Sequence, residues 1–158
     1  DDGTALWWAA KYGYEGIVRM LLARKNIDPN IPAFSGTTPL MAAWTSGYDT
    51  IAELLLARGD TDYNRADGNG DTPICWAAAN GKEKVVKLLL AKKRIDCQRE
   101  NNDGDTPLAL AALHGHMGAA RLLLDSGHID PNTPGRHGRT PIINACMGGY
   151  LEIVLMLL

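Results

Sequence analysis

Apolar and polar positions along this chain alternate in blocks rather than residue by residue. A short Ala-rich run such as Leu108-Ala109-Leu110-Ala111-Ala112-Leu113 stops near a Gly, and a second apolar run follows after a few residues. A polar segment rich in Asp, Asn and Gly then separates that pair from the next. The blocks recur in strict register. Thr4, Thr38, Thr72, Thr106 and Thr140 are each 34 residues apart. The same spacing links Leu6, Leu40, Ile74, Leu108 and Ile142, then Ala9, Ala43, Ala77, Ala111 and Ala145, then Gly13, Gly47, Gly81, Gly115 and Gly149. Two further columns, ending at Leu157 and Leu158, hold Leu in every copy. Agreement at fixed offsets with no insertion predicts a repeat array.

Each unit reads as a helix pair. The Thr is placed as an N-cap, its hydroxyl free to accept from a backbone N–H of the first turn. Pro39, Pro73, Pro107 and Pro141 follow at the first helical position, where a missing N–H costs nothing. About two turns later the Gly supplies a left-handed helix stop. Glu15, Asp49 or Glu83 then opens the second helix, opposite the positive end of its dipole. Val85, Val86, Leu88, Leu89 and Leu90 give that helix a wide apolar stripe, suited to packing between neighbours. Asp28, Asp62, Asp96 and Asp130 begin polar connections with hairpin chemistry, such as Ala66-Asp67-Gly68-Asn69-Gly70. The units run over 1–34, 35–68, 69–102, 103–136 and an incomplete 137–158, together one domain over 1–158.

Composition narrows the function. In 158 residues, 16 Lys plus Arg stand against 18 Asp plus Glu, so the chain lacks the positive excess that phosphate backbones or anionic membranes reward. Nucleic-acid and membrane partners are therefore not expected. Three cysteines, Cys75, Cys97 and Cys146, cannot all pair within the chain, which favours a reducing, cytoplasmic location. Asp1 and Asp2 do not open a signal peptide, and no apolar run reaches membrane-spanning length. Four Trp and five Tyr against one Phe favour interface-prone rings over ordinary core filling.

Site chemistry is sparse. Asp67-Gly68-Asn69-Gly70-Asp71 imitates the start of a calcium loop, but Thr72 stands where a Gly turn belongs and Ala78 where a bidentate Glu belongs. Asn101 to Asp105 fails in the same way. His114, His116, His128 and His137 lie within 24 residues, without zinc-finger spacing. No nucleophile motif, phosphate loop or converging acid–base pair is present, so neither metal, cofactor nor catalysis is expected. Lys82, Lys84, Lys87, Lys92, Lys93 and Arg94 make the third unit basic; a helix C-terminus accounts for such residues better than an acidic partner does.

Gly70-Asp71-Thr72-Pro73-Ile74, Gly104-Asp105-Thr106-Pro107-Leu108 and Gly138-Arg139-Thr140-Pro141-Ile142 resemble the G-x-T-P-L opening of ankyrin repeats. His114-Gly115-His116 and the run from Arg121 to Gly127 resemble that family's second-helix segment, and the likeness covers the whole chain. It implies an all-α solenoid of stacked helix–turn–helix units with projecting hairpin loops. It also implies a protein partner on a concave face of hairpins and first helices. Two departures stand out. The His that often follows T-P-L is replaced by Trp7, Met41, Cys75, Ala109 and Ile143, so apolar packing should take over from a polar staple. The period exceeds the usual one of about 33 by one residue, near Ile129-Asp130-Pro131-Asn132, a segment that resembles repeats of large multidomain fungal proteins.

Columns four and eight residues after the Thr vary freely and share a helix face, which the family architecture turns toward the groove. They place Trp8, Tyr12, Trp76, Asn80, Leu110 and His114 there, unless the rings fill space left by the missing histidines. Trp44, Tyr14, Tyr48 and Tyr150 are expected to be structural. The hairpins add an edge that runs from apolar Phe34 through acidic Asp67, Asp71, Asp103 and Asp105 to basic Arg136 and Arg139. Such a row fixes a partner's register, or is loop drift. The apolar start and the Ile153-to-Leu158 finish lack polar capping repeats. They predict a segment of a longer array or larger protein (a sensing arm of a receptor or enzyme), or self-association through the ends.

Overall fold

The structure is a computed structural model that describes residues 3–158; Asp1 and Asp2, read above as the chain's start, lie outside the described residues. Within that range the chain forms ten α-helices, one 3-10 turn at Arg136–Gly138 and no strand. They are α1 Ala5–Lys11, α2 Glu15–Leu22, α3 Pro39–Thr45, α4 Asp49–Ala57, α5 Pro73–Ala79, α6 Glu83–Leu90, α7 Pro107–Leu113, α8 Met117–Asp125, α9 Pro141–Gly148 and α10 Leu151–Leu157. The all-α class and the helix pairs agree with the 34-residue register. The helices gather into two compact units, with the chain divided between Gly68 and Asn69. In the first, α1 packs on α3 and α2 on α4. In the second, α7 lies between α5 and α9, and α8 contacts both α6 and α10.

Helix starts follow the Thr column. Thr4, Thr38, Thr72 and Thr106 each accept the backbone N–H three residues on, from Trp7, Met41, Cys75 and Ala109. Thr140 has the same extended backbone but makes no side-chain cap bond, so α9 starts on its Pro alone. Helix ends follow the Gly column. Gly13, Gly47, Gly81, Gly115 and Gly149 all take positive φ, between 61° and 82°. The next residue then donates back into the first helix. Tyr14, Tyr48, Lys82, His116 and Tyr150 give their N–H to Ala9, Ala43, Ala77, Ala111 and Ala145, each at 2.9 Å. This bond is the signature of a Schellman stop. It sets the angle between the two helices of every pair.

That turn also joins neighbouring repeats. The Tyr48 ring covers Gly13, His116 covers Gly81 and Tyr150 covers Gly115, so closely that a Cβ on any of these glycines would collide with the ring. His116 adds a hydrogen bond from its Nε2 to the Ala79 carbonyl at 3.0 Å. Tyr48 and Tyr150 are thus structural, as expected. Tyr14 is not packed in this way and is 55 % exposed.

The segment carrying the extra residue is a polar ladder. Asp28, Asp62, Asp96 and Asp130 accept the N–H two residues on, from Asn30, Asn64, Gln98 and Asn132. The last residue of two of these turns then reaches the next repeat: the Asp62 N–H donates to Asn30 Oδ1 at 2.7 Å in the first unit, and the Asp130 N–H to Gln98 Oε1 at 3.1 Å in the second. Arg58 makes a similar tie between α4 and α2, its guanidinium donating to the carbonyls of Leu22 and Ile27 while pairing with Asp60. The basic residue at that helix end therefore caps the preceding helix rather than its own.

The glycines separate two costs. Gly149→Ala places a side chain in open space at φ 71°, a backbone cost of about 1–2 kcal/mol. Gly115→Ala has nearly the same φ but also displaces the Tyr150 ring, so it should lose clearly more stability. Urea denaturation of both variants checks the order.

Candidate protein-interaction surface

Trp8 on α1 and Tyr12, the residue that caps its end, stand at i and i+4. Tyr12 is 54 % exposed and Trp8 is half-buried. Their rings stack, 5.6 Å between centroids at an interplanar angle of 12°. Trp7 meets Trp8 edge-on at 4.9 Å, and Tyr14 continues the run from Tyr12 at 6.1 Å. The four rings form one ladder on the first unit. The neighbouring hairpin closes through the Ala33 N–H to the Thr37 carbonyl and lifts Phe34 to its tip, 93 % exposed. Trp7 ties hairpin to helix, its indole N–H donating to Thr37 Oγ1 at 3.3 Å.

That bond corrects an expectation. Trp7 stands in the column where the polar staple seemed lost, yet it makes a polar contact with the next repeat. Cys75 also makes polar contacts, in the second unit and within its own repeat. Thr72 Oγ1 donates to Cys75 Sγ at 3.2 Å, and the thiol donates on to the Arg99 carbonyl at 3.5 Å. Burial pushes the Cys75 thiol up to about 11, against an ordinary 9.0, so it stays protonated and serves as a donor. Indole and thiol both carry one hydrogen on a largely apolar body, which composition alone does not distinguish from core filling.

The second unit brings fewer of the expected residues to its surface. Trp76 is half-buried; Asn80 and His114 are exposed, with Asn80 Nδ2 donating to the Trp76 carbonyl at 2.9 Å. Leu110 is buried at 6 % exposure, contrary to its placement on a free face. Its helix, α7, is flanked on both sides, and the equivalent Asn144 is buried as well, with its Nδ2 directed to the Ala109 carbonyl at 3.4 Å. The column four residues after Thr is therefore mostly an interior one. Trp44 is buried, as expected.

The hairpin charges divide in the same way. Asp105 is only 4 % exposed and accepts the Arg136 N–H at 2.9 Å. Asn101 accepts the Asp103 and Asp105 N–H groups and gives its own amide hydrogen to Asp71 at 2.9 Å. Asp71 and Asp105 are thus part of a ladder that holds successive hairpins together, a correction to their reading as displayed charges. Asp103 and Arg136 stay at the surface as an ion pair at 3.5 Å, both 57 % exposed. Asp67 and Arg139 are half-buried. Among the described residues no group of three or more His, Cys, Asp and Glu converges as a metal site.

A family model described as ankyrin repeats (3 copies) matches residues 1–67, 59–135 and 75–158. The chain belongs to the ankyrin-repeat family. No curated protein matched it. Ankyrin repeats are generally protein–protein interaction modules without catalytic chemistry of their own, which agrees with an array whose polar groups are spent on caps and ladders. Among the described residues no helix is long and apolar enough to cross a membrane.

Asp105→Ala should cost about 1–3 kcal/mol, because it removes a buried carboxylate that holds the Arg136 N–H at the hairpin. Asp103→Ala, at an exposed pair, should cost below about 1 kcal/mol. Thermal and urea unfolding of the two variants test the assignment. Cys75 also ties stability to alkaline pH. Its folded pKa, about 11, lies above the ordinary 9.0, so its contribution is complete below pH 9.0 and is lost as pH rises toward 11. Removing the thiol in Cys75→Ala should flatten that part of the pH–stability profile.

Proposed function

We propose that this ankyrin array is a non-catalytic interaction module that binds a protein partner through its hairpin tips and first helices. One observation carries the reading: Tyr12, Tyr14 and Phe34 are exposed on the first unit, and the half-buried Trp8 stacks on Tyr12. Exposed aromatic rings clustered in this way are costly in water and typical of contact surfaces. In the second unit Trp76, Asn80 and His114, with the Asp103–Arg136 pair and Arg139, are the residues offered to the partner. Leu110, Asp71 and Asp105 act indirectly, by fixing the geometry of the elements that carry the others.

Affinity capture with the intact chain, compared with a Trp8→Ala, Trp76→Ala double variant, tests the reading. The double variant should retain its helical circular dichroism while capture of the partner falls about tenfold or more, as for removal of buried aromatic anchors. Full capture by a folded double variant would place the contact elsewhere. Loss of the helical signal would show that the rings support the fold.

A further inference from the structure

We propose that the outer face of α8 and α10 is a docking surface for a second copy of this chain, paired with it about a two-fold axis. The first helices and hairpin tips take no part in it, so the surface is additional to the one proposed above.

The repeat register singles out this face. Eleven residues after the Thr, the second helices carry Glu15, Asp49 and Glu83, but then Met117 in α8 and Leu151 in α10. Fifteen residues after it they carry Arg19, Glu53, Lys87 and Arg121, but then Leu155 in α10. Both columns are open to water in other repeats, where Asp49, Glu53, Glu83, Lys87 and Arg121 are exposed. The apolar residues are open as well: Met117 is 42 % exposed, Leu151 62 % and Leu155 64 %. Their exposure comes from the column they occupy, so a further repeat stacked on α9 and α10 would leave them uncovered. Apolar side chains grouped where other repeats carry charge mark a contact surface.

The charges on this face identify the occupant. Met117, Arg121, Glu152, Leu155 and Met156 line one groove between the two helices. Among the described residues neither Arg121 nor Glu152 makes an ion pair or a side-chain hydrogen bond, whereas Arg19, in the same column as Arg121, is neutralised by Glu15 at 2.7 Å. The groove therefore offers one cation from α8 and one anion from α10 beside apolar side chains. An unrelated partner would have to bring an anion and a cation at matching spacing. A second copy brings both by symmetry.

The register of the two helices lets one axis make all the pairings. α8 and α10 follow the same turn in successive repeats and contact each other, so they run in one direction, each α8 residue beside the α10 residue 34 positions later. A two-fold axis through the groove, perpendicular to both helices, reverses that direction and exchanges the helices. Placed so that Arg121 faces Glu152 of the second copy, it also sets Glu152 against the second copy's Arg121. The same axis sets Met117 against the second copy's Met156, because the two pairs share one midpoint along the helices. Leu155 falls beside the second copy's Met117, at a border formed by Gly118 and the Glu83 side chain that lies over it. Contacts in which one residue meets another and is met by it in return define two-fold pairing. Two short helices bury less than a standard interface, so the dimer is weak and depends on concentration.

Sedimentation equilibrium of the full chain tests the proposal. Between about 10 μM and 1 mM, the range suited to a contact of this size, the mass should rise from one chain to two and stop there. Arg121→Glu and Glu152→Arg should each weaken the dimer about tenfold or more, because each sets like charges together twice. Circular dichroism should not change, since both side chains are exposed and make no bond within the chain. An equimolar mixture of the two variants should associate as the unaltered chain does, each copy supplying the charge the other lacks. A single mass of one chain throughout, association that continues past two chains, or a folded single variant that dimerises unchanged overturns the proposal. A mixture that associates no better than its components does so too.

Discussion

The close approach of neighbouring first helices is the constraint on which the rest of this molecule depends. Ala9, Ala43, Ala77, Ala111 and Ala145 are buried at 0–3 % exposure in every repeat. Their small side chains let α1 pack on α3, and let α5 and α9 pack on α7. A larger residue in this column would push the helices apart by more than a side chain can accommodate at crystal-like packing density. The larger apolar residues are displaced to either side: Leu40, Ile74 and Leu108 toward the start of the first helices, and Leu55, Leu89 and Leu123 on the second. Within each unit one repeat buries its faces on the next, so the core of a unit is built of layers rather than around one centre.

Once the helices are that close, every backbone group at the repeat boundary must find a partner nearby. The chain solves this in several different ways. The Schellman turn returns an N–H to the alanine carbonyl, and at Gly13, Gly81 and Gly115 a ring of the following repeat covers the glycine that made the turn possible. The Asn30 and Gln98 side chains collect an N–H from the next repeat. Asp105 accepts one from the hairpin that follows its own. The indole of Trp7 reaches the next repeat as well, while the thiol of Cys75 ties its first helix to the connection at the end of its own repeat. What recurs is the presence of one hydrogen-bonding atom on a mostly apolar side chain.

This explains what could be read from the sequence. Residues whose role is local were legible. Thr38 caps the helix three residues away and Gly81 stops it within one turn, so neither needs knowledge of a neighbour. Residues whose role is set across a repeat boundary were not. Leu110 and Trp76 share a column, yet Leu110 is interior and Trp76 half-exposed, because exposure depends on what flanks each helix. Asp71 and Asp105 looked like displayed charges because a sequence shows their sign without showing Asn101 or the Arg136 N–H beside them. Thr140 shows the reverse limit: its residue type and backbone match the other caps, but its hydroxyl makes no cap bond.

The same division bears on how recognition works. Carboxylates already bonded to backbone N–H groups have little left to offer a partner, and recruiting them would open the ladder that holds the hairpins. The rings of Trp8, Tyr12 and Tyr14 carry no such obligation: they contact one another, and removing their exposed faces from water costs the fold nothing. A ligand that covered these rings would gain mainly from aromatic burial. An array that spends its polar groups on internal register keeps its aromatic surface free to differ from that of its relatives. A shared fold can in this way serve different partners.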